Sequence, residues 1–340
     1  MSYLPEPDEQ DWILEHLAEI IHHRGAGVFL NAPIIEPTER YFPRRWTPTE
    51  TSVRAMIVKL LRIAGLRFSV RLEIFDAGAT PSLNDRGGNS ACPRAGETAA
   101  WFAGLDAGEA HFGVELGQLT DPLTLAGTLC HEVAHAYRAA HGITYYEREL
   151  DEPLTDLTTI YLGFGLLTTQ SSYHYTSSAE GYSHHRRGYM TALPMSFALA
   201  AQSVARKMDK KARKRLAEHL GPNQAAYFLA GAKALESPER ALDERLGLST
   251  ARGVAGPGPN QGLVVFRVRS GILRAFRCSD PGCAKKLRRD DTICPGCGGT
   301  IAGEARSEAE AAEQEASLLR GAEAKDELTR LLRGGRDGKP

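Results

Sequence analysis

The 340-residue sequence predicts an α+β protein: a small β-sheet, a series of helices, and a separate cysteine-rich module near the C-terminus. Three observations carry this. Apolar and polar residues alternate over residues 68–74, the period of a strand with one buried face. Several longer segments instead place apolar residues at helical spacing. A Gly/Pro-rich stretch at 251–262 then separates these elements from four cysteines, Cys278, Cys283, Cys294 and Cys297.

Residues 9–23 form an amphipathic helix by spacing, with Ile13, Leu17, Ile20 and Ile21 on one face. The Pro-rich segment 32–48 is expected to be extended and to wrap the surface. A second helix starts at Thr47, which can cap it, with Pro48 in the first turn and Glu50 completing a capping box. Val53, Met56, Ile57, Leu60, Leu61 and Ala64 form its apolar face. The strand at 68–74 follows. A Gly/Pro/Asn-rich loop at 77–96 leads to two further strands, 97–103 and 109–116, joined by a short Gly/Asp turn. Thr120-Asp121-Pro122 signals a helix start, and Gly142 stops the helix that spans 122–141. Further helices are expected at 154–168, 195–220 and 224–235. Beyond the linker, Val264-Val265-Phe266-Arg267-Val268 reads as a strand, and an Ala/Glu/Arg-rich helix covers 304–332. The expected organisation is one domain over 1–250, a linker over 251–262, a cysteine module over 263–303 and a charged helical tail over 304–340.

Composition restricts the function classes. Apolar content of 42% and charged content of 24% are those of an ordinary globular protein. The formal net charge of −1 argues against a protein devoted to polyanions, although it can conceal local patches. The apolar stretch around 160–167 is too short to cross a bilayer, and residues 1–11 lack the basic and apolar regions of a signal peptide. No membrane association and a cytoplasmic location are therefore expected.

The chemistry centres on His131-Glu132-Val133-Ala134-His135, an HExxH pentapeptide in the middle of the 122–141 helix. Residues four apart share a helix face, so both imidazoles can ligate one Zn²⁺ while Glu132 serves the water held beside it. A catalytic zinc needs a third protein ligand, and two candidates exist. His141 stands ten residues after His131, the spacing of the metzincin pattern HExxHxxGxxH. That pattern needs a glycine where this chain has Arg138, and a helix running through Arg138 turns His141 about 240° away from His135. Glu152 is the second candidate. It opens Glu152-Pro153-Leu154-Thr155-Asp156, an ExxxD pattern seventeen residues after His135. One turn places Asp156 beside Glu152, where it can accept the other ring N–H of a ligand histidine.

An HExxH helix, a reversal and a second helix bearing ExxxD resembles the gluzincins, the thermolysin-like zinc peptidases, over roughly residues 97–170. The resemblance implies a zincin-like domain in which a small sheet precedes the two motif helices. It implies His131, His135 and Glu152 as zinc ligands, Glu132 as general base and Asp156 behind a ligand histidine. It also implies an edge strand that holds the substrate backbone, and residues 109–116 occupy the corresponding place. An oxyanion formed during hydrolysis needs a donor opposite the base. Residues 181–189 are rich in donors, with Tyr189 and His185 the candidates and His184 close behind; an ordinary polar loop is the plainer reading.

The cysteines form two knuckles, Cys278-x4-Cys283 and Cys294-x2-Cys297, in the manner of a zinc ribbon. Four thiolates close a tetrahedral site with no open position, so this zinc is structural. Pro281-Gly282 and Pro295-Gly296 supply tight turns that direct N–H groups at sulfur. Cys92 and Cys130 are isolated and read as ordinary thiols. Over 263–303, eight Lys/Arg against three Asp leave a local net charge of +5. That excess permits nucleic-acid contact, but few aromatics are present for base stacking. The basic run from Arg206 to Arg215 is a solvated helix face by the same reasoning. The expected protein is a zinc peptidase acting on a protein or peptide substrate. It carries one catalytic and one structural zinc, with the ribbon recruiting substrate, a protein partner or nucleic acid. A non-enzymatic zinc-binding interaction protein and a nucleic-acid-linked regulatory factor are the alternatives.

Overall fold

The apolar stripe read at residues 13–21 folds as helix α1 (Pro7–Arg24), which buries Ile13, Leu14, Leu17, Ile20 and Ile21. The structure is a computed structural model that describes residues 2–76, 99–143, 148–176, 190–236, 242–248, 264–270, 275–280, 283 and 285–318. The loop at 77–96 with Cys92, the linker 251–262, and the tail beyond 318 lie outside the described residues. So do Pro281-Gly282 and the segment holding Tyr189, His185 and His184. Gly25, at φ 86°, ends α1 and turns the chain into a short helix α2 (Ala26–Asn31), whose six residues are too few to show a period. The Pro-rich stretch does more than wrap the surface. Ile35 is fully buried, and its N–H donates to the Gly163 carbonyl at 2.9 Å.

Helix α3 (Glu50–Ile63) buries Val53, Met56, Ile57, Leu60 and Leu61. Its cap is Thr49, not Thr47: Thr49 Oγ1 accepts from the Ser52 N–H, and Pro48 stays outside the helix. Glu50 pairs forward with Arg54 at 2.6 Å instead of completing the expected box. Strands β1 (Ser69–Phe75), β2 (Ala100–Asp106) and β3 (Glu109–Glu115) form one sheet in the order β1-β3-β2. Strand β1 runs parallel to β3, and β2 runs antiparallel to it. The strand at 109–116, expected at an edge, is therefore central, because β1 returns to its far side. Strand β2 sits three residues later than expected. Ala107 and Gly108, both at positive φ, make a tight turn that sets Asp106 opposite Glu109.

Helix α4 (Pro122–Ala140) begins at Asp121, whose carboxylate accepts the Leu123 and Thr124 N–H groups. It ends at His141, with Gly142 at φ 65° beyond. From Leu125 to Arg138 every residue except His135 is buried, since β2, α3, α5 and α6 all pack on this helix. Gly127 permits the approach of α6: a Cβ there would lie 2.6 Å from Ser171 Oγ and 3.1 Å from the Leu167 carbonyl. Helix α5 (Arg148–Leu162) starts earlier than expected and places ExxxD midway along its length, with Pro153 inside the helix. It stops where Gly163, at φ 86°, presses against the Pro33 carbonyl, and α6 (Gly165–Thr176) follows.

The helix expected over 195–220 is two: α7 (Ala192–Ala205) and α8 (Lys210–Ala217). Lys207 adopts φ 57° between them, and Asp209 caps the new start by accepting the Ala212 N–H at 2.6 Å. Helices α9 (Pro222–Leu235) and α10 (Leu242–Arg245) complete the described part of this unit, which spans Met1–Gly262. Among the described residues, no helix is long and apolar enough to cross a membrane.

The second unit spans Leu263–Pro340. Its strands β4 (Val264–Ser270), β5 (Ala275–Cys278), β6 (Lys286–Leu287) and β7 (Thr300–Ala305) form a sheet ordered β6-β5-β4-β7. Residues 308–318 are helical. The expected tail helix starts later than residue 304 because Glu304 and Ala305 pair with β4 as part of β7. Val265, Phe276 and Leu287 pack around the four cysteine side chains in one small core.

Candidate metal centres

Helix α4 supplies two imidazoles on one face, and α5 supplies the carboxylate that meets them. Glu152 Oε2 lies 3.0 Å from His131 Nε2 and 3.4 Å from His135 Nε2. Ligands 2.0–2.1 Å from a tetrahedral Zn²⁺ stand about 3.3 Å from one another. Both carboxylate–nitrogen separations are near that value, all three ligand atoms lie within 4.8 Å of one another, and the donor set of two nitrogens and a carboxylate oxygen is compatible with zinc. His131 is buried, while His135 and Glu152 are partly exposed, so the group opens on one side.

The far nitrogens of the two rings are held differently. His131 Nδ1–H donates to Asp156 Oδ1 at 2.8 Å, and Asp156 Oδ2 accepts the Met190 N–H at 2.8 Å. His135 Nδ1 lies 3.2 Å from Thr155 Oγ1 and 3.7 Å from Asp151 Oδ2. These bonds fix ring orientation and leave both Nε2 atoms facing Glu152. Arg138, Asp151 and Thr155 carried no motif signal. In the sequence, Arg138 stands out only as the residue that departs from the metzincin pattern.

Burial alone would lower the His131 pKa, but Asp156 and Glu152 on its two nitrogens, with Glu132 nearby, push it up to about 10. Burial would raise the Glu152 carboxyl, but hydrogen bonds from His131 and His135 and their charge hold it well below the usual carboxylate range. Glu132 is buried on the same helix, and desolvation pushes its carboxyl up against the opposing effect of both histidines. Its carboxylate also accepts a hydrogen bond from the Phe102 backbone on β2. A metal must displace the His131 proton. At neutral pH, therefore, metal binding to this group is expected to release about one proton, and affinity is expected to rise with pH toward 10. Calorimetric zinc titration in buffers of different ionisation enthalpy, on protein whose cysteine site is already loaded, measures this, and a proton count of zero would contradict the assigned charge of His131.

His141 lies elsewhere. Its Nε2 is 3.2 Å from Arg24 Nη2 and its ring packs on Tyr137, so the metzincin-type ligand set does not form. Burial and the Arg24 charge lower its pKa to about 4. Cys130, next to His131, is fully buried, and desolvation pushes its thiol up, which leaves it inert. Tyr189 and His185 are outside the described residues, so their expected role has no geometry.

The second unit brings Cys278, Cys283, Cys294 and Cys297 together. Cys278 and Cys297 sulfurs are 3.7 Å apart, and Cys283 and Cys294 sulfurs 3.6 Å apart. Four sulfurs at 2.3 Å from tetrahedral zinc would be separated by about 3.8 Å. The Gly296 N–H points at Cys294 Sγ at 3.4 Å, and a Cβ on Gly296 would fall 2.5 Å from Cys283 Sγ. The turn after Cys294 must therefore carry a glycine. Hydrogen bonds among the four sulfurs hold the Cys283 and Cys294 thiols below their ordinary value and leave those of Cys278 and Cys297 above it. No protein-family model, curated protein or solved structure matches the chain.

Proposed function

We propose that this protein is a zinc-dependent peptidase with its active site on α4 and α5 and a structural zinc ribbon in the C-terminal unit. The observation that carries the reading is the convergence of His131 Nε2, His135 Nε2 and Glu152 Oε2 with a buried, pKa-raised Glu132 beside them. Zinc bound there supplies an acidified water and polarises the substrate carbonyl. With zinc held by His131, His135 and Glu152, Glu132 would serve as the base that accepts a proton from the attacking water and returns it to the departing amine. Its raised pKa suits both halves of this transfer. Asp156 and Thr155 hold the ligand rings from behind. A scaffold using metal only for stability has no need of a desolvated carboxylate at that point, which favours the enzymatic reading over a purely structural one.

The substrate strand is assigned to β2 in place of β3. Phe102 of β2 touches Glu132, and among the described residues β2 pairs on one side only. An extended peptide added to that edge would pass the base. Incubation of the zinc-loaded protein with a denatured proteome, read by mass spectrometry of new termini, tests the activity. Cleavages that vanish with chelator and return with zinc are expected; no new termini at any zinc level would sink the proposal.

A second reading for the C-terminal unit rests on its charge distribution. Arg277 pairs with Glu308 and Arg269 approaches Glu304, whereas Lys286, Arg288 and Arg289 are exposed close together on and after β6. Such a strip fits a polyanion. Retention of the protein on heparin that weakens steeply with salt, and is lost when these three become glutamate, supports that partner; flow-through at low salt excludes it.

A further inference from the structure

The bond that orients His131 is a familiar one, a carboxylate behind an imidazole. Among the described residues, the carboxylate nearest the His135 Nδ1 is Asp151 Oδ2, 3.7 Å away and beyond bonding distance. What stands at 3.2 Å is the hydroxyl of Thr155, a residue with no exposed surface. A hydroxyl has one proton to give and two lone pairs to fill. Thr155 gives its proton to the Asp151 carbonyl at 2.8 Å, one helical turn back. One lone pair accepts from Arg138 Nη1 at 2.6 Å. Only the second lone pair is left for His135, so its Nδ1 must be the donor. A proton on Nδ1 leaves the Nε2 lone pair to a metal, the nitrogen that otherwise bonds Glu152.

The Thr155 hydroxyl is itself locked. Arg138 is buried and closes the reversal between the two helices: its Nε donates to the Ile143 carbonyl at 3.2 Å and its Nη1 to the Asp151 carbonyl at 2.5 Å. Its Nη2 lies 2.9 Å from Asp151 Oδ1. The guanidinium therefore binds the turn after α4 and the second turn's worth of acceptors on α5 as one piece.

We infer that Thr155, fixed by Arg138 and Asp151, is a positioning residue that sets the tautomer of His135 and with it the third side of the metal group. The inference rests on His131, His135 and Glu152 being zinc ligands. It adds that the two histidines are held by unlike devices, one by a carboxylate and one by a neutral hydroxyl backed by an ion pair.

The test reads the tautomer directly. Nitrogen-15 NMR of the zinc-loaded protein is expected to show His135 bound through Nε2 with its proton on Nδ1; binding through Nδ1 with the proton on Nε2 overturns the inference without any variant. Thr155→Val keeps the shape and removes the hydroxyl. It is expected to lose the Nδ1–H preference of His135, to leave the His131 resonances in place, and to weaken zinc at this site by about 10- to 100-fold in chelator competition. Thr155→Ser is expected to restore both. Thr155→Val binding zinc as tightly as wild type also overturns the inference. Wild-type protein that holds zinc only at the cysteines overturns the ligand reading beneath it, a result the tautomer measurement keeps distinct.

Discussion

Glu132→Gln is expected to retain its zinc and lose hydrolysis of any cleavable peptide by about 10²- to 10⁴-fold, the contribution of a positioned general base. The substitution is close to isosteric, and Gln Oε1 can still accept the Phe102 backbone donor that meets the native carboxylate. Glu132 is not one of the three converging ligand atoms, so metal content measured by mass spectrometry should match wild type. Stability gives an independent readout. Desolvation raises the Glu132 carboxyl, which means that ionised Glu132 opposes folding relative to an exposed carboxylate. A neutral amide removes that opposition, and Glu132→Gln should unfold at the same temperature as wild type or higher at neutral pH. The sign follows from the direction of the shift: the native carboxyl holds its proton to higher pH than the unfolded one, so the destabilisation is present above the folded pKa and fades as pH falls. A variant that hydrolyses at the wild-type rate would refute the base; one that loses both zinc and fold would refute the view that Glu132 is apart from the ligands.

Paired serine substitution of Cys294 and Cys297 has the second large expected effect, confined to the C-terminal unit. The core there is Val265, Phe276, Leu287 and the sulfurs themselves, with a second small cluster of Phe266, Val268, Ala305 and Ala311, too little apolar surface to hold four short strands. Structural zinc in small modules contributes about 10–16 kcal/mol, so its loss unfolds them. One zinc should disappear while the histidine site keeps its own. Residues 264–305 should become sensitive to protease and lose amide protection. Short peptides should still be hydrolysed and protein substrates turned over more slowly, if the ribbon recruits them. Loss of both metals together would contradict two independent centres.

Much of the candidate site was legible because its chemistry is local. His131 and His135 share a face by their spacing of four, and Asp156 follows Glu152 by one turn; each pair is decided within a single helix. The four cysteines were equally plain, since the knuckle turns require glycine at Gly296 for contact reasons confined to a few residues. The central position of β3 was not legible. Alternation identifies a strand and its buried face but says nothing of its neighbours, and β1 reaches β3 only across the long segment that separates them in sequence. The same holds for the break between α7 and α8, where a capping aspartate and a left-handed Lys207 interrupt an otherwise continuous helical pattern.

Arg138 marks the boundary between the two kinds of knowledge. By composition it is a charged residue late in a helix and ought to face water; in the fold it is buried, because four acceptors from the turn and α5 surround its guanidinium. Periodicity and spacing thus determined which side chains travel together on each helix and which residues can bind metal. Tertiary packing alone decided which helix faces which, which strand is left at the edge beside Glu132, and what stands behind His135. The physical reason is that spacing within an element is set by backbone geometry, whereas contacts between elements depend on how the intervening chain turns and what it can bury.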